Sequence, residues 1–146
     1  MLVEYARNVL GVEEAEHAET SPDAGRLVVT PLSCSLVGQR HRVHILPGTR
    51  AAELYGRDAV ERYYCNYGLN PEYRPALEAS GLRVSAEDDD GEVRIVELDG
   101  HPFFLGTLFL PQMTSSRDEP HPVLVGLAQA LSSTAPGGAS PVPSGP

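Results

Sequence analysis

The chain has 146 residues, enough for one domain with one substantial core. Its 11 basic residues are outnumbered by 20 acidic ones, and the net charge of −9 makes nucleic acid or an anionic membrane surface an unfavourable partner. No apolar stretch is long enough to span a bilayer, the first residues lack the features of a secretory signal, and 2 cysteines are too few for a disulfide framework. These features predict a cytoplasmic protein.

The first segment of the chain has the pattern of an amphipathic helix. Five apolar residues fall on one helical face: Leu2, Val3, Ala6, Val9 and Leu10. Gly11 is a natural stop for this helix, and a second short helix is expected at 13–18, before a turn at 21–25.

Two extended segments follow the turn. Residues 27–38, LVVTPLSCSLVG, are apolar and β-branched, and they predict a strand that Pro31 breaks or places at an edge, with Cys34 in the core. Residues 39–46 alternate in polarity, and one face carries three polar side chains: Arg40, Arg42 and His44. The two segments are expected to pair in antiparallel fashion.

Capping signals delimit two short helices in the middle of the chain. Thr49 is a suitable N-cap for the helix in TRAAELYG, which Gly56 closes. Asn70 caps a second helix that has Pro71 at its first position and ends at Gly81.

Further strands are predicted around these helices. The stretch VERYYCNYGL at 60–69 is rich in aromatic residues and indicates a strand. The stretch LRVSAEDDDGEVRIVEL at 82–98 indicates a hairpin with its tip at 89–91. The stretch HPFFLGTLFL at 101–110 indicates a buried strand that Pro111 ends.

The C-terminal part contains one helix and a tail. His121 and Pro122 introduce a helix with these apolar residues: Val123, Leu124, Leu127, Ala130 and Leu131. Residues 134–146 are rich in Pro, Gly and Ser, so we expect a disordered tail after a single domain at 1–133. Strands and helices intermix and hairpins dominate, which indicates an α+β fold or the antiparallel flank of an α/β domain.

The sequence carries weak signals for metal and cofactor binding. The acidic run 87–90 lacks the alternating ligands and distal glutamate of a calcium loop, so we expect a solvated turn. His41 and His44 are three residues apart on a strand, so their side chains point to opposite faces and cannot share a metal. Glycine-rich phosphate loops and a Gly-x-Ser-x-Gly elbow are missing from the sequence, and neither a cofactor nor a metal is predicted.

Cys65 is the main candidate for chemistry. It lies in the polar aromatic stretch YYCNYG, where a nearby cation or base would populate the thiolate. Arg62 and His101 are candidate suppliers, and together with Asn66 and Tyr67 they define a candidate pocket. The alternative is that Cys65 is a buried spacer without a chemical role.

Several stretches, read in order, resemble the C-terminal glutamine amidotransferase domain of CTP synthase, a class I amidotransferase. EYARNVLGVEEAEHAE resembles the helix that follows the nucleophilic cysteine of that family. GTRAAELYGRDAVERYYCNYGLNPEY and VRIVELDGHPFFLGTLFLPQMTSS resemble two later segments, and the match spans most of residues 3–131. The resemblance implies an α/β, flavodoxin-like domain that lacks the family's N-terminal parallel strands and has antiparallel hairpins and flanking helices.

The departures from the family pattern bear on activity. The family hydrolyses glutamine with a Cys-His-Glu triad, in which the thiolate attacks and the His moves protons. By this resemblance the His position is Leu110, the Glu position is Gln112, and the family's His-Arg, which includes a contact to the glutamine carboxylate, becomes Cys65-Asn66. The family's cysteine elbow lies upstream of the helix at which this chain begins. The resemblance therefore implies a domain that does not hydrolyse glutamine, with Leu110 converted to packing.

A more specific likeness involves Y-x-C-x-Y-G together with LFLPQ. This pattern resembles a group described as CTP synthase C-terminal region-related (seleno)proteins. Some members carry selenocysteine, a substitution that makes sense only where a chalcogen does chemistry. Cys65 is the expected position for that chemistry.

Three functions remain open at this level. The first is a binding or partner domain without hydrolysis. The second is a thiol-dependent enzyme that uses Cys65, with redox chemistry as one version. The third is a truncated fragment of a CTP synthase-like amidotransferase of pyrimidine nucleotide biosynthesis. Loss of the N-terminal parallel strands would strip neighbours from residues 2–10, so a protein or small-molecule partner is expected to cover that edge.

Overall fold

Eight strands and four α-helices alternate along the computed structural model, which describes residues 1–134. The strands are β1 (Glu16–His17), β2 (Leu27–Pro31), β3 (Arg40–Ile45), β4 (Ala59–Arg62), β5 (Tyr67–Leu69), β6 (Leu82–Glu87), β7 (Val93–Leu98) and β8 (Leu105–Thr107). The helices are α1 (Leu2–Asn8), α2 (Arg50–Tyr55), α3 (Arg74–Ala79) and α4 (Pro122–Thr134), with 3-10 turns at Pro71–Tyr73 and Pro111–Met113. The tail predicted at 134–146 lies outside the described residues, apart from Thr134.

The strands form two sheets. In the three-stranded sheet the order is β1-β2-β5, with β1 parallel and β5 antiparallel to β2. In the five-stranded sheet the order is β4-β3-β6-β7-β8, and every pairing is antiparallel. β6 and β7 lie near the middle of this sheet, so most of their residues are buried.

Two apolar clusters fill the core. One includes Ala6, Val28, Leu77, Leu82, Val84 and Val96. The other includes Leu36, Val43, Ala51, Tyr63, Ala86, Ile95 and Phe109. Tyr63 and Phe109 are the largest fully buried side chains among the described residues, and their rings meet edge to face with centroids 5.8 Å apart. This contact anchors the chain immediately before Leu110.

Both predicted helix caps are confirmed. The Oγ1 atom of Thr49 accepts a hydrogen bond from the N–H of Ala52 at 3.1 Å, and Gly56 ends α2 with a φ of 67°, which a glycine adopts without strain. The Oδ1 atom of Asn70 accepts a hydrogen bond from the N–H of Glu72 at 3.1 Å. The hairpin predicted at 82–98 is confirmed as β6 and β7.

The strand pairing predicted for the first half of the chain is wrong. β2 pairs with β1 and β5, while β3 pairs with β4 and β6, so 27–38 and 39–46 do not form a hairpin. The helix expected at 13–18 is replaced by β1, which is held to β2 by a hydrogen bond from the N–H of Ala18 to the carbonyl of Val29 at 3.0 Å. Cys34, expected in the core, is exposed because the chain has left the sheet after Pro31.

The stretch 60–69 does not form one continuous strand. β4 ends at Arg62 in the five-stranded sheet, and β5 starts at Tyr67 in the three-stranded sheet. The residues between them carry the chain from one sheet to the other, with Tyr63 fully buried and its N–H bonded to the carbonyl of Gln39 at 2.9 Å. Cys65 lies in this crossing segment.

The strand predicted at 101–110 is much shorter in the structure, where β8 spans Leu105–Thr107 only. The ring of His101 accepts a hydrogen bond from the N–H of Phe103 at 3.1 Å, which closes a turn ahead of the strand. β8 pairs with β7 along one edge and ends the five-stranded sheet.

Helix α4 starts at Pro122 as predicted and is the longest helix in the described part of the chain, with 13 residues. Val123 and Ala130 are buried, whereas Leu127 and Leu131 are 40% and 64% exposed, so only part of the predicted apolar face packs on the core. Within residues 1–134 there is no helix whose length and apolar character would let it cross a membrane.

Candidate functional site

Leu110 and Gln112 lie at the surface after β8. Leu110 precedes the 3-10 turn Pro111–Met113 and is 37% exposed, and Gln112 is also exposed. The prediction that Leu110 is packed in the core is wrong, because Phe109 and Pro111 on either side take the buried positions. An aliphatic side chain and an uncharged amide therefore occupy this surface, and neither can serve as a general base.

Cys65 is half-buried, and the hydrogen bonds of its side chain are local. The thiol donates to the carbonyl oxygen of Tyr67 at 3.1 Å, and the sulfur accepts from the N–H of the same residue at 3.4 Å. Both contacts hold the sulfur against the backbone of the residue that starts β5. This geometry makes Cys65 part of the turn into β5.

Two of the four residues of the candidate pocket line different cavities. Arg62 lies over the ring of Tyr64 at 5.2 Å and lines a cavity of about 430 Å³. His101 lines a different cavity, of about 250 Å³. Asn66 is exposed, and Tyr67 packs its ring against a histidine of β1 with centroids 5.0 Å apart.

A buried polar network, which the sequence did not suggest, joins β4 to the start of α4. The Nε2 atom of His121 lies 2.9 Å from Oε1 of Glu61, and both side chains are 5% exposed. The N–H of Val123 donates to Nδ1 of His121 at 3.2 Å, so Nε2 carries the proton and donates to Glu61. The hydroxyl of Tyr55 also donates to Glu61, at 2.9 Å, and burial raises the pKa of that phenol.

A second buried pair joins Asp88 to Arg94. Arg94 donates from Nε to Oδ2 of Asp88 at 3.1 Å and also from Nη2 to the same oxygen, and its side chain is 4% exposed. The acidic run was predicted to be a solvated turn, which is wrong for Asp88, because its side chain is only 10% exposed. Burial alone would raise the pKa of Asp88, but hydrogen bonds from Arg94 and from the N–H of Glu92 hold it below its usual range.

His44 bridges two acidic side chains at the surface. Its Nε2 lies 2.7 Å from Asp89 and its Nδ1 lies 2.7 Å from Asp58. These hydrogen bonds, with Asp89 first, raise the pKa of His44. The contact with His44 and the N–H of Ile45 lower the pKa of Asp58. The arrangement fastens the hairpin tip to β3.

A cleft of about 790 Å³ runs beside β4. It is lined by Arg40, Arg42 and Arg57 from the β3–β4 region and by Thr114 and residues 119–122 from the segment before α4. We call it the arginine cleft. Glu61 and His121 of the buried network also line this cleft.

The signals for these features were present but indirect. Arg94 interrupts the apolar strand VRIVEL, and a buried arginine requires an acidic partner. Glu61 and His121 are 60 residues apart, so only the fold brings them together.

A mixed α/β chain with these two sheets and flanking helices has the class I glutamine amidotransferase-like fold, which confirms the predicted fold class. The glutaminase domain of Trypanosoma brucei CTPS with bound acivicin matches the structure with a TM-score of 0.82 and 28% sequence identity, over 90% of this chain and 56% of that one.

CTP synthases are the particular proteins to which the sequence is related. The CTP synthase of Pyrobaculum aerophilum is 39% identical over 140 residues, covering 88% of this chain and 26% of the relative. The CTP synthases of Bifidobacterium longum and Methanopyrus kandleri are 35% and 37% identical, over 89% and 93% of this chain. No family model matches the chain. The chain spans about a quarter of the length of these curated relatives, and it is a CTP synthase-related, glutamine amidotransferase-like domain.

Proposed function

We propose that this domain keeps the glutamine amidotransferase-like fold without hydrolysing glutamine and acts as a binding domain for a small molecule or a protein partner. The observation that carries the proposal is the pair of side chains after β8. Leu110 and Gln112 stand where the resemblance to CTP synthase places a histidine and a glutamate, and both face solvent.

The chemistry of amide hydrolysis supports this reading. A cysteine nucleophile needs a base to take its proton and later to protonate the leaving amine. Leucine cannot move a proton, and glutamine lacks the negative charge that stabilises an imidazolium. Loss of the histidine from a comparable triad costs roughly 10⁶-fold in kcat.

We therefore expect no release of ammonia when the full chain is incubated with glutamine. The measurement is an enzyme-coupled ammonia assay, with heat-denatured protein as the blank. Cys65→Ser is the matched variant, because it changes one atom of the candidate nucleophile. Turnover in the wild type that disappears in Cys65→Ser would contradict the proposal.

The second candidate function is thiol chemistry at Cys65, related by resemblance to the selenoprotein group. It is favoured by the position of Cys65 in the crossing segment between the sheets, where the side chain is half-buried and so still reaches solvent. The two free cysteines separate the functions, because Cys34 is exposed whereas Cys65 is half-buried.

Access alone makes Cys34 the faster site of alkylation. Under the binding-domain proposal we expect Cys34 to be labelled faster than Cys65 near neutral pH, because the Cys65 thiol is half-buried and bonded to the backbone of Tyr67. Mass mapping after timed exposure to iodoacetamide measures both rates, and the single variants Cys34→Ser and Cys65→Ser confirm the assignment. Faster labelling of Cys65 would favour thiol chemistry instead.

A further inference from the structure

Four arginines of this acidic chain are concentrated on strands β3 and β4 and on the turn just before β4. They are Arg40, Arg42, Arg57 and Arg62, and all four are exposed. Their concentration contrasts with the net charge of −9, and every one of the 11 basic residues of the chain is an arginine. A guanidinium can bind phosphate through two parallel hydrogen bonds, whereas an ammonium group lacks this geometry.

The strand register places three of these charges together. Arg40 is the direct cross-strand partner of Arg62, and Arg42 lies two residues further along the same face of β3. Like charges directly opposite each other destabilise a sheet. None of the four arginines forms an ion pair within residues 1–134, although Arg42 interacts with Asp58 at longer range and Arg62 lies over the ring of Tyr64.

The acidic groups of the arginine cleft are mostly engaged elsewhere. Asp58 accepts hydrogen bonds from the N–H of Ile45 and contacts His44, and Glu61 accepts from His121. Glu119 is the third carboxylate of the lining. Arg40, Arg42 and Arg57 therefore share the lining of the cleft with three carboxylates, two of which already have other partners.

A second cavity continues the cleft. It has a volume of about 430 Å³, and it shares Arg40 and Thr114 with the cleft while adding Arg62. The arginine cleft, at about 790 Å³, is of the size that small-molecule sites usually have. Its wall at residues 119–122 contains two prolines, which hold that side of the cleft in a fixed backbone path.

We propose that the arginine cleft binds a small phosphorylated molecule, with Arg40, Arg42 and Arg57 holding its phosphate groups. Bound phosphate supplies the negative charge that would offset the repulsion between Arg40 and Arg62. Phosphate binding in the cleft does not depend on whether the domain hydrolyses glutamine. Phosphate binding and ammonia release are therefore separate measurements, and either prediction can fail alone.

Calorimetric titration of the full chain with inorganic pyrophosphate, at low and constant ionic strength, tests the proposal. We expect saturable binding with one pyrophosphate per chain, and a rise in Tm of the wild type. Arg40→Ala and Arg42→Ala should each weaken binding by about tenfold, because each removes a charge-assisted pair of hydrogen bonds. Arg42→Lys keeps the charge but loses the fork, so we expect it to weaken binding by about threefold.

Arg26→Ala is the matched control, because Arg26 is exposed and lies outside the cleft lining. It should change the affinity by less than about twofold. In the absence of pyrophosphate, Arg40→Ala and Arg62→Ala should unfold at the same or a higher temperature than the wild type, since each relieves the cross-strand repulsion. This result also shows that the variants fold.

Three outcomes would overturn the proposal. The first is an absence of saturable pyrophosphate binding to the folded wild type. The second is an equal loss of affinity in Arg26→Ala and Arg42→Ala, which would indicate a diffuse charge effect. The third is tighter binding of a poly-glutamate peptide than of pyrophosphate, which would assign the cleft to an acidic protein segment instead.

Discussion

Replacing Asp88 with alanine is expected to lower the free energy of unfolding by roughly 3–5 kcal/mol, the usual cost of removing one partner of a buried ion pair. The Arg94 side chain is 4% exposed and would be left charged in the interior. Asp88 also accepts hydrogen bonds from the N–H groups of Asp90 and Glu92 at 3.1 and 2.9 Å, so the hairpin tip loses its support as well. Urea denaturation of the full chain measures the change.

A surface pair provides the control. Glu53 contacts Arg50 at 2.8 Å, but the two side chains are 67% and 46% exposed, so Glu53→Ala should change stability by no more than about 0.5 kcal/mol. Combining Asp88→Ala with Arg94→Met removes both charges and should recover part of the loss, because the uncompensated cation is gone. A cost for Asp88→Ala as small as that of Glu53→Ala would show that the pair is solvated.

The pKa of Asp88 gives the pH dependence of this contribution. Burial opposes ionisation, but Arg94 and the backbone donors outweigh it, and the folded-state pKa is lowered. Because its pKa is lower in the folded state, the ionised Asp88 carboxylate adds to the free energy of unfolding at pH values above its unfolded-state pKa of about 3.9. This contribution is lost as the pH falls through the lower, folded-state pKa. Asp88→Asn carries no charge at any pH, so its stability should fall less steeply than that of the wild type on acidification below about pH 4.

Local features of the fold could be predicted because the residues that determine them are close in sequence. The Thr49 cap with Gly56, the Asn70 cap, and the hairpin at 82–98 each depend on a few neighbouring residues. Their geometry follows from side-chain oxygen atoms that meet free N–H groups and from glycine at a left-handed position.

Strand partners could not be predicted in the same way. The stretch 60–69 has the composition of a single strand, yet it is divided between two sheets, because burial of Tyr63 against Phe109 fixes the chain where it crosses. Cys34 looked apolar by its neighbours, but no strand continues past Pro31 to bury it. These outcomes depend on contacts between distant segments, which local composition does not contain.

In the candidate site, too, some features could be predicted from the sequence and others depend on contacts between distant segments. Leu110 and Gln112 were singled out by resemblance to a family pattern, and the structure adds that both lie at the surface. The arginine cleft depends on the register of β3 and β4, which places Arg40 opposite Arg62. The alternation at 39–46 already predicted that Arg40 and Arg42 lie on one face of a strand, but it did not predict that Arg62 lies opposite Arg40.

Replacing His121 with alanine is expected to destabilise the fold by about 3–5 kcal/mol, because it removes a hydrogen-bond donor to the buried Glu61 carboxylate together with a packed aromatic ring. The imidazole also packs edge to face on Tyr55, with ring centroids 5.7 Å apart, so its loss opens a cavity at the junction of α2, β4 and α4. Equilibrium denaturation in urea, with the slope of the transition checked for two-state behaviour, measures the effect.

His101→Ala is the matched control, because His101 is exposed and its ring hydrogen bond is a local one, from the N–H of Phe103. We expect it to cost less than about 1 kcal/mol. Tyr55→Phe should fall between the two, at about 1–2 kcal/mol, since Glu61 loses one donor but keeps His121. His121→Ala and Tyr55→Phe each leave the buried carboxylate one of these two donors, and the larger cost of His121→Ala comes from the cavity that the lost imidazole leaves. Equal costs for His121→Ala and His101→Ala would mean that Glu61 is solvated or neutral in the folded protein, and that the network does not tie β4 to α4.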